Sequence, residues 1–452
     1  MALGPFGQWF NRNETWAPEA GPWVTYLARN SYLLQQGRFV ADVAYFYGED
    51  SNVTAIFRAK SPDVPHGYNF DFVNADALIN KLSVKDGKLT APSGMTYQVL
   101  ALDPYSRHMS LPVLRKLQAL VRDGATVIGE RPTDTPSLND KAAEFQQIVD
   151  SVWGKGTNNN SYGKGRVISG HTLESALQEL QISRDFDYRS SNANANLLFV
   201  HRALTNGDLY FVDNRNNHPE TLDATFRVTG KSAELWHADS GKIEPASYRI
   251  ESGSTMVPLK LAPYETVFVV FRHPTSEVSR SLPVAVEAPI ATVTGSWKIS
   301  FQPNRGAPAG ATLDQLQSWS DSHDAGIKYF SGRASYTKTL EVPVNWFKPG
   351  AELWLDLGDV KNIAEVNVNG TSLPTLWKAP FRVNVTSALK PGPNDIEIAV
   401  TNLWVNRLVG DQQPGATKKY TFTTHNPYKA NSPLLPSGLL GPVEMVRVEL
   451  PN

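Results

Sequence analysis

Two acidic side chains close together in a chain are candidates for general acid and general base, and Glu14 and Glu19 form such a pair beside a run of polar and aromatic residues. Five positions apart, they would stand roughly 140° apart around a helix if both were helical, and so would not face one substrate. A carboxylate in that place also has a plain structural use, because the N-terminal end of a following helix favours negative charge. Arg407 and Asp411 lie four apart in a stretch that also holds Trp404 and Asn406. That pattern suits either a guanidinium presented to a sugar or to a neighbouring domain, or a buried ion pair that pins the C-terminal loops. Trp377 and Phe381 offer the same choice: a platform for the apolar face of a sugar if they face solvent, core if they do not.

Other chemistries find little support. The chain has no Cys, which removes disulfides, thiolate nucleophiles and Cys-based metal sites. Its nine His show no i,i+4 pairing of the zinc type. No G-x-S-x-G occurs, and the glycines of residues 155–165 match neither a phosphate loop nor G-x-G-x-x-G, so that segment reads as a flexible polar connection. No Asp-x-Asp-x-Asp-Gly loop is present, although a sandwich could gather Asp324, Asp356 or Asp359 with backbone carbonyls around calcium. With 43 basic and 44 acidic residues the net charge is -1, which gives no field to steer nucleic acid or an anionic membrane, and neither is expected as a partner. No apolar run approaches the roughly 18 residues of a membrane span, and Met1 is not followed by a basic segment and an apolar stretch. A soluble chain without an export signal is expected.

A length of 452 residues predicts about three domains. Residues 1–37 read as a Gly/aromatic loop and one amphipathic helix, with Pro22 early, Trp23, Leu27, Leu33 and Leu34 on or near one stripe, and Gly37 closing it. An apolar stripe of that size predicts packing on the following domain or in a subunit interface, so a homo-oligomer is one expected partner state. Residues 38–183 alternate short apolar runs (40–47, 98–102, 125–129) with helical spacing (111–121, 142–152), the pattern of a doubly wound α/β domain. Residues 184–273 return to strands and predict a small antiparallel β-sandwich, with turns at Asn206-Gly207 and Ser240-Gly241. Residues 274–293, with Pro274, Pro283 and Pro289, read as a linker, and 294–452 as a further sandwich. In the latter, Val366 and Val368 fall on one face, Asn367 on the other, and Asn369-Gly370 sits where a type I′ turn needs positive φ.

The residues Asp356-Leu357-Gly358, Ala364-Glu365-Val366, Asn369-Gly370, Trp377, Pro380-Phe381, Leu389, Gly392 and Asn394 resemble the galactose-binding-like jelly roll attached to many large glycoside hydrolases. The continuation, with Asn402, Trp404, Asn406-Arg407, Gly410-Asp411, Tyr420, Phe422, Pro436, Gly438 and Gly441-Pro442, resembles the C-terminal end of α-L-rhamnosidases of glycoside hydrolase family 106. Residues 38–183 are similar to the flavodoxin-type, amidotransferase-like domain of several glycosidase families. Such a domain needs a Cys nucleophile when catalytic, so a structural or oligomer-forming role is expected here. Residues 1–37 resemble the last loop and helix of the family's catalytic (β/α)8 barrel, which makes them a remnant of a barrel whose remainder the chain lacks.

The resemblance implies an inverting, calcium-dependent hydrolase of terminal α-L-rhamnosides whose acid and base are glutamates on barrel strands before Met1, so no catalytic residue is assigned in this chain. It also implies that Trp9, Asn11, Arg12, Asn13, Glu14 and Trp16 line the barrel mouth and contact substrate, since active sites of such barrels lie at the C-terminal face. The alternative use of the same residues is structural, with Asn and Thr capping the helix and Trp16 stapling it. Trp377 and Arg407 join the substrate-binding candidates. The expected partner is carbohydrate, as rhamnosides or plant glycans, and the parent family is often periplasmic or secreted. The chain is therefore expected to be the non-catalytic C-terminal part of a rhamnosidase-like hydrolase; a lectin-like module or a scaffold without sugar affinity are the alternatives.

Overall fold

Apolar strands that run almost without polar interruption need cover on both faces, and the first sheet of residues 29–281 shows why. The computed structural model describes residues 10–49, 62–104, 107–156, 159–423 and 425–450. The chain forms two units, Arg29–Ser281 and Leu282–Asn452 together with the residues up to Ala28. Within Arg29–Ser281, the strands Phe70–Val73, Val43–Phe46, Val99–Leu102, Thr126–Ile128 and Gly165–Ile168 lie side by side and parallel, with Asn159–Tyr162 antiparallel at the edge. Ala44, Phe46, Leu100, Leu102 and Val127 meet the helices Leu111–Asp123 and Ala142–Trp153 on one face. Val43, Tyr45, Val99, Ala101 and Ile128 meet the helix Leu173–Glu179 on the other.

The segment expected to be a flexible connection is instead part of this sheet. Asn159–Tyr162 pairs with Gly165–Ile168 through a turn at Gly163, whose φ of 62° and approach to the Arg122 backbone, 2.5 Å from where a Cβ would stand, both require glycine. A strand spelled Asn-Asn-Ser-Tyr has little β propensity of its own, and its place at the sheet edge is where polar residues are tolerated.

The same unit holds two antiparallel sheets packed around Phe199, Tyr210, Phe226, Val257, Val269 and Phe271. His201 of this sandwich anchors a largely buried charged network. His201 hydrogen-bonds Asp185 at 2.9 Å through Nδ1 and Asp208 at 3.2 Å through Nε2, and its ring stacks on Tyr210 at 3.9 Å. Tyr210 donates to Asp185, Lys231 to Asp208, and Arg227 to Asp42. Burial alone would depress the imidazole, but the bonds to Asp185 and Asp208 outweigh it and hold His201 above its ordinary range. A raised folded value means that the stabilisation is fully present below the unfolded pKa of about 6.5 and is lost as pH rises through the folded one. Calorimetry from pH 6 to pH 9 should therefore show the melting midpoint of this unit falling by a few degrees, given roughly 2–4 °C per kcal/mol at this size. The same scan on His201→Gln should be nearly flat; an equal fall in the variant would contradict the assignment.

The second unit is a sandwich. A six-stranded antiparallel sheet runs in the order Gly310–Leu313, Trp297–Phe301, Arg333–Val342, Gly392–Thr401, Ile363–Val368, Thr371–Ser372. It packs on a four-stranded sheet of Val286–Thr292, Glu444–Glu449, Glu352–Asp356 and Arg382–Asn384. Trp297, Trp319, Phe330, Tyr336, Leu355, Val366, Ile398 and Phe381 are among the side chains that fill the space between them. Asn369 and Gly370 take φ of 53° and 83°, the two positive values of the turn that joins Ile363–Val368 to Thr371–Ser372.

Residues 274–293, within which the division between the two units falls, contain strands. Ser279–Arg280 pairs with Tyr248–Glu251, and Val286–Thr292 pairs with Glu444–Glu449. Pro289 is accommodated because its strand is at the sheet edge and the register shifts there, the two settings in which a strand can lack an N–H. The helix Gly21–Leu34 also departs from expectation. Its buried residue is Asn30; of the expected stripe, Leu27 is 42% exposed while Trp23, Leu33 and Leu34 are half-buried, so the chain covers the stripe only in part. No helix among the described residues is long and apolar enough to cross a membrane.

Candidate functional site

At one end of the sandwich unit the chain leaves the six-stranded sheet after Thr401 and makes a short helix, Val405–Gly410. Asn402 anchors that exit, donating to the Phe330 carbonyl and accepting from Gly332 N–H, both at 2.9 Å. Asn406 does the same for the closing loop through the Leu435 carbonyl at 2.7 Å and Leu435 N–H at 2.8 Å. Arg407 points inward, nine-tenths or more buried, and its Nε donates to Asp411 at 2.9 Å. The second carboxylate oxygen of Asp411 accepts from Tyr420 N–H, Thr421 N–H and the Thr421 hydroxyl. One buried ion pair thus fixes the course of residues 420–421.

Above that pair lies a groove of about 800 Å³. The N-terminal loop supplies one wall: Trp404 Nε1 donates to the Asn13 carbonyl at 2.8 Å, Thr15 donates to the Asn402 carbonyl, and Asn11 Oδ1 accepts from Asn13 N–H at 2.9 Å. Asn11, Arg12, Asn13 and Glu14 line it together with Gln302, Arg305, Trp404, Tyr420 and Phe422. The Arg305 guanidinium lies 4.5 Å from the Trp404 ring, and that of Arg407 lies 5.0 Å from Tyr420. Gly306 lets the Arg305 loop cross here: at φ 94° its Cβ would stand 2.9 Å from the Arg407 guanidinium and 3.1 Å from the Tyr420 ring. Phe422 is 88% exposed. Among the described residues, the one carboxylate lining the groove is that of Glu14, itself buried.

The residues singled out from sequence are thus distributed among several settings. Asn11, Arg12, Asn13 and Glu14 share the groove; Arg407 lies beneath it as half of the ion pair. Trp16 belongs to an adjacent aromatic patch with Phe10 and Trp23, at 6.1 and 5.8 Å between ring centroids. Trp377 is half-buried against Tyr26 at 5.2 Å, away from the groove, and Phe381 is core. Trp9 lies outside the described residues. Asn11, Asn13 and Thr15 do not cap the helix Gly21–Leu34; their bonds go to their own turn and to residues 402–404. Glu19, in the turn that leads into the helix Gly21–Leu34, also pairs with Arg333 at 3.4 Å. Gln302 and Arg305 are not legible as site residues in the sequence, because the loop that carries them is about a hundred residues from Trp404 along the chain.

The aspartates considered for calcium do not converge. Asp324 caps the helix Ala325–Lys328, Asp356 accepts from Gly358 N–H, and Asp359 pairs with Lys361 at 2.6 Å. Among the described residues there is no group of three or more His, Asp or Glu side chains placed to hold a metal ion.

Comparison with known proteins supplies the family context. The model of glycoside hydrolase family 106, described as alpha-L-rhamnosidase, matches residues 1–250. The solved structure of a rhamnosidase from Novosphingobium sp. PP1Y is similar at 45% identity and a TM-score of 0.89, over 98% of this chain and 42% of that one. A curated protein of Formosa agariphila, provisionally named a beta-glucuronidase, is 25% identical over 98% of this chain and 58% of its own length. The chain spans about half the length of these relatives.

Proposed function

The chain belongs to glycoside hydrolase family 106, the α-L-rhamnosidase family, and from that premise we propose that its 452 residues form a saccharide-binding, non-hydrolytic part of such an enzyme. On this reading the general acid and base of rhamnoside hydrolysis lie in polypeptide outside these residues, the sandwich of residues 294–452 is the jelly roll of the enzyme, residues 38–183 its doubly wound domain, and 184–273 a smaller sandwich between them in sequence. Residues 1–37 are the end of its catalytic barrel.

The observation that carries the proposal is the groove. Exposed or half-exposed rings of Trp404, Tyr420 and Phe422 stand beside the amides of Asn11, Asn13 and Gln302, which is what a sugar needs: rings against its C–H faces and fixed donors and acceptors for its hydroxyls. Hydrolysis needs two carboxyl groups about 5–10 Å apart, and the groove lining offers Glu14. Titration calorimetry with L-rhamnose and short rhamnosides should show weak, saturable binding that Phe422→Ala weakens at least about fivefold, the order of 1 kcal/mol expected for an exposed contact ring. Absence of heat with any rhamnoside would contradict the reading and favour a scaffold.

The aromatic patch of Phe10, Trp16, Trp23 and Val24 supports a place in a longer protein. Contiguous rings of this kind are rarely left in water, and the relative of known structure has more than half its length beyond what this chain matches. That additional polypeptide is the proposed cover. Sedimentation of the chain as a dimer that Trp23→Glu dissociates would assign the patch to a second copy instead.

A further inference from the structure

We infer that the groove recognises a saccharide bearing a carboxylate, a hexuronic acid residue, and that Arg305 is the group that receives it. The inference rests on the saccharide reading of the groove.

Three arginines of the sandwich unit lie over aromatic rings with their guanidinium within about 5 Å of the ring centre, and two of them have a carboxylate on the fork. Arg382, 4.9 Å from the Trp354 ring, donates to both oxygens of Glu287 at 2.7 and 3.1 Å. Arg407, 5.0 Å from Tyr420, donates to Asp411 at 2.9 Å. Arg305 has the same stacking on Trp404, at 4.5 Å, but among the described residues it has neither an ion pair nor a side-chain hydrogen bond. The indole covers one side of the guanidinium, which also lines the groove. Partial burial pulls this guanidinium below its ordinary value, with no neighbouring acid to offset the loss of water.

The remaining charges of the groove point the same way. Arg12, exposed on the opposite wall, also has no acid partner among the described residues. Glu14 is buried and forms no ion pair with Arg305, on which no neighbouring acid acts. The lining therefore presents two uncompensated guanidinium groups beside rings and amides. A planar carboxylate accepts two parallel N–H bonds from such a fork, while the sugar ring that carries it can rest on Tyr420 or Phe422. A neutral sugar offers the fork hydroxyl oxygens but no compensating charge.

The test is a matched pair of ligands on the whole 452-residue protein: a disaccharide of L-rhamnose and a hexuronic acid, and the same disaccharide with its carboxyl reduced to the alcohol. Calorimetry should show the acid binding about tenfold to hundredfold tighter than its reduced twin, the range expected for hydrogen bonds to a charged group. The preference should collapse in Arg305→Gln and shrink in Arg12→Gln. Equal binding of the two twins would overturn the carboxylate inference while leaving the saccharide reading intact. A preference undiminished in Arg305→Gln would overturn the assignment of the receiving group. Failure of both twins to bind would remove the saccharide reading and this inference with it.

Discussion

Asp411→Ala is expected to cost the sandwich unit about 3–5 kcal/mol, the range for removing one partner of a buried ion pair. Three losses combine at this position. Arg407, almost wholly buried among Ser331, Tyr329 and Tyr420, would keep its charge without a carboxylate. Tyr420 N–H and Thr421 N–H, which now donate to Asp411 at 3.0 and 2.8 Å, would lose their acceptor. The Thr421 hydroxyl would lose it as well. The last two effects fall on the segment that carries Tyr420 and Phe422, so the variant should also blunt saccharide binding. Replacing both members of the pair with apolar residues of similar volume should recover a good part of the stability, because the uncompensated charge is what costs most. Urea unfolding followed by tryptophan fluorescence reads this directly. A change below about 1 kcal/mol for Asp411→Ala, the range of an exposed pair, would show that water reaches Arg407 and that the pair does not hold the groove floor.

This pair also shows what sequence can and cannot give. Arg407 and Asp411 at four-residue spacing, in a stretch with Trp404 and Asn406, are visible as a pair in the sequence, which leaves both a sugar contact and a structural pin open. The structure buries the two side chains as an ion pair, and no local pattern reports burial. Local signals serve well where the chemistry is local. Asn369-Gly370 takes the positive φ values that its turn demands, and residues 111–121 form the core of the helix Leu111–Asp123 because their apolar spacing matches one helical face.

Signals fail where long-range structure overrides composition. Asn159–Tyr162 is polar and still a strand, since the neighbouring Gly165–Ile168 supplies its hydrogen bonds. Pro289 sits in a strand because a partner distant in sequence, Glu444–Glu449, pairs with it across a register shift. The groove is the strongest case. Its walls come from residues 11–15, 302–305, 404–408 and 420–423, and only the first and part of the last two carry a recognisable motif. Arg305, in a loop of ordinary turn residues, acquires its character solely from Trp404 beneath it and from the carboxylate it lacks.

The largest effect concerns catalysis. Enzymes of ordinary competence turn over at about 1–1,000 per second, and a glycosidase does so by combining an acid, a base or nucleophile, and a site that holds the sugar. Under the proposed division of labour the sugar-holding site belongs to the present chain, and the acid and base to polypeptide outside it. On that division the buried carboxyls Glu14 and Glu19 do not substitute: Glu19 is paired with Arg333, and Glu14 is the one carboxylate of the groove lining among the described residues. The decisive measurement is the hydrolysis of an aryl α-L-rhamnoside by the purified 452-residue protein at micromolar concentration. Release of the phenol at the rate of the buffer blank is predicted; turnover near one per second, abolished by Glu14→Gln, would contradict the claim that acid and base lie outside these residues.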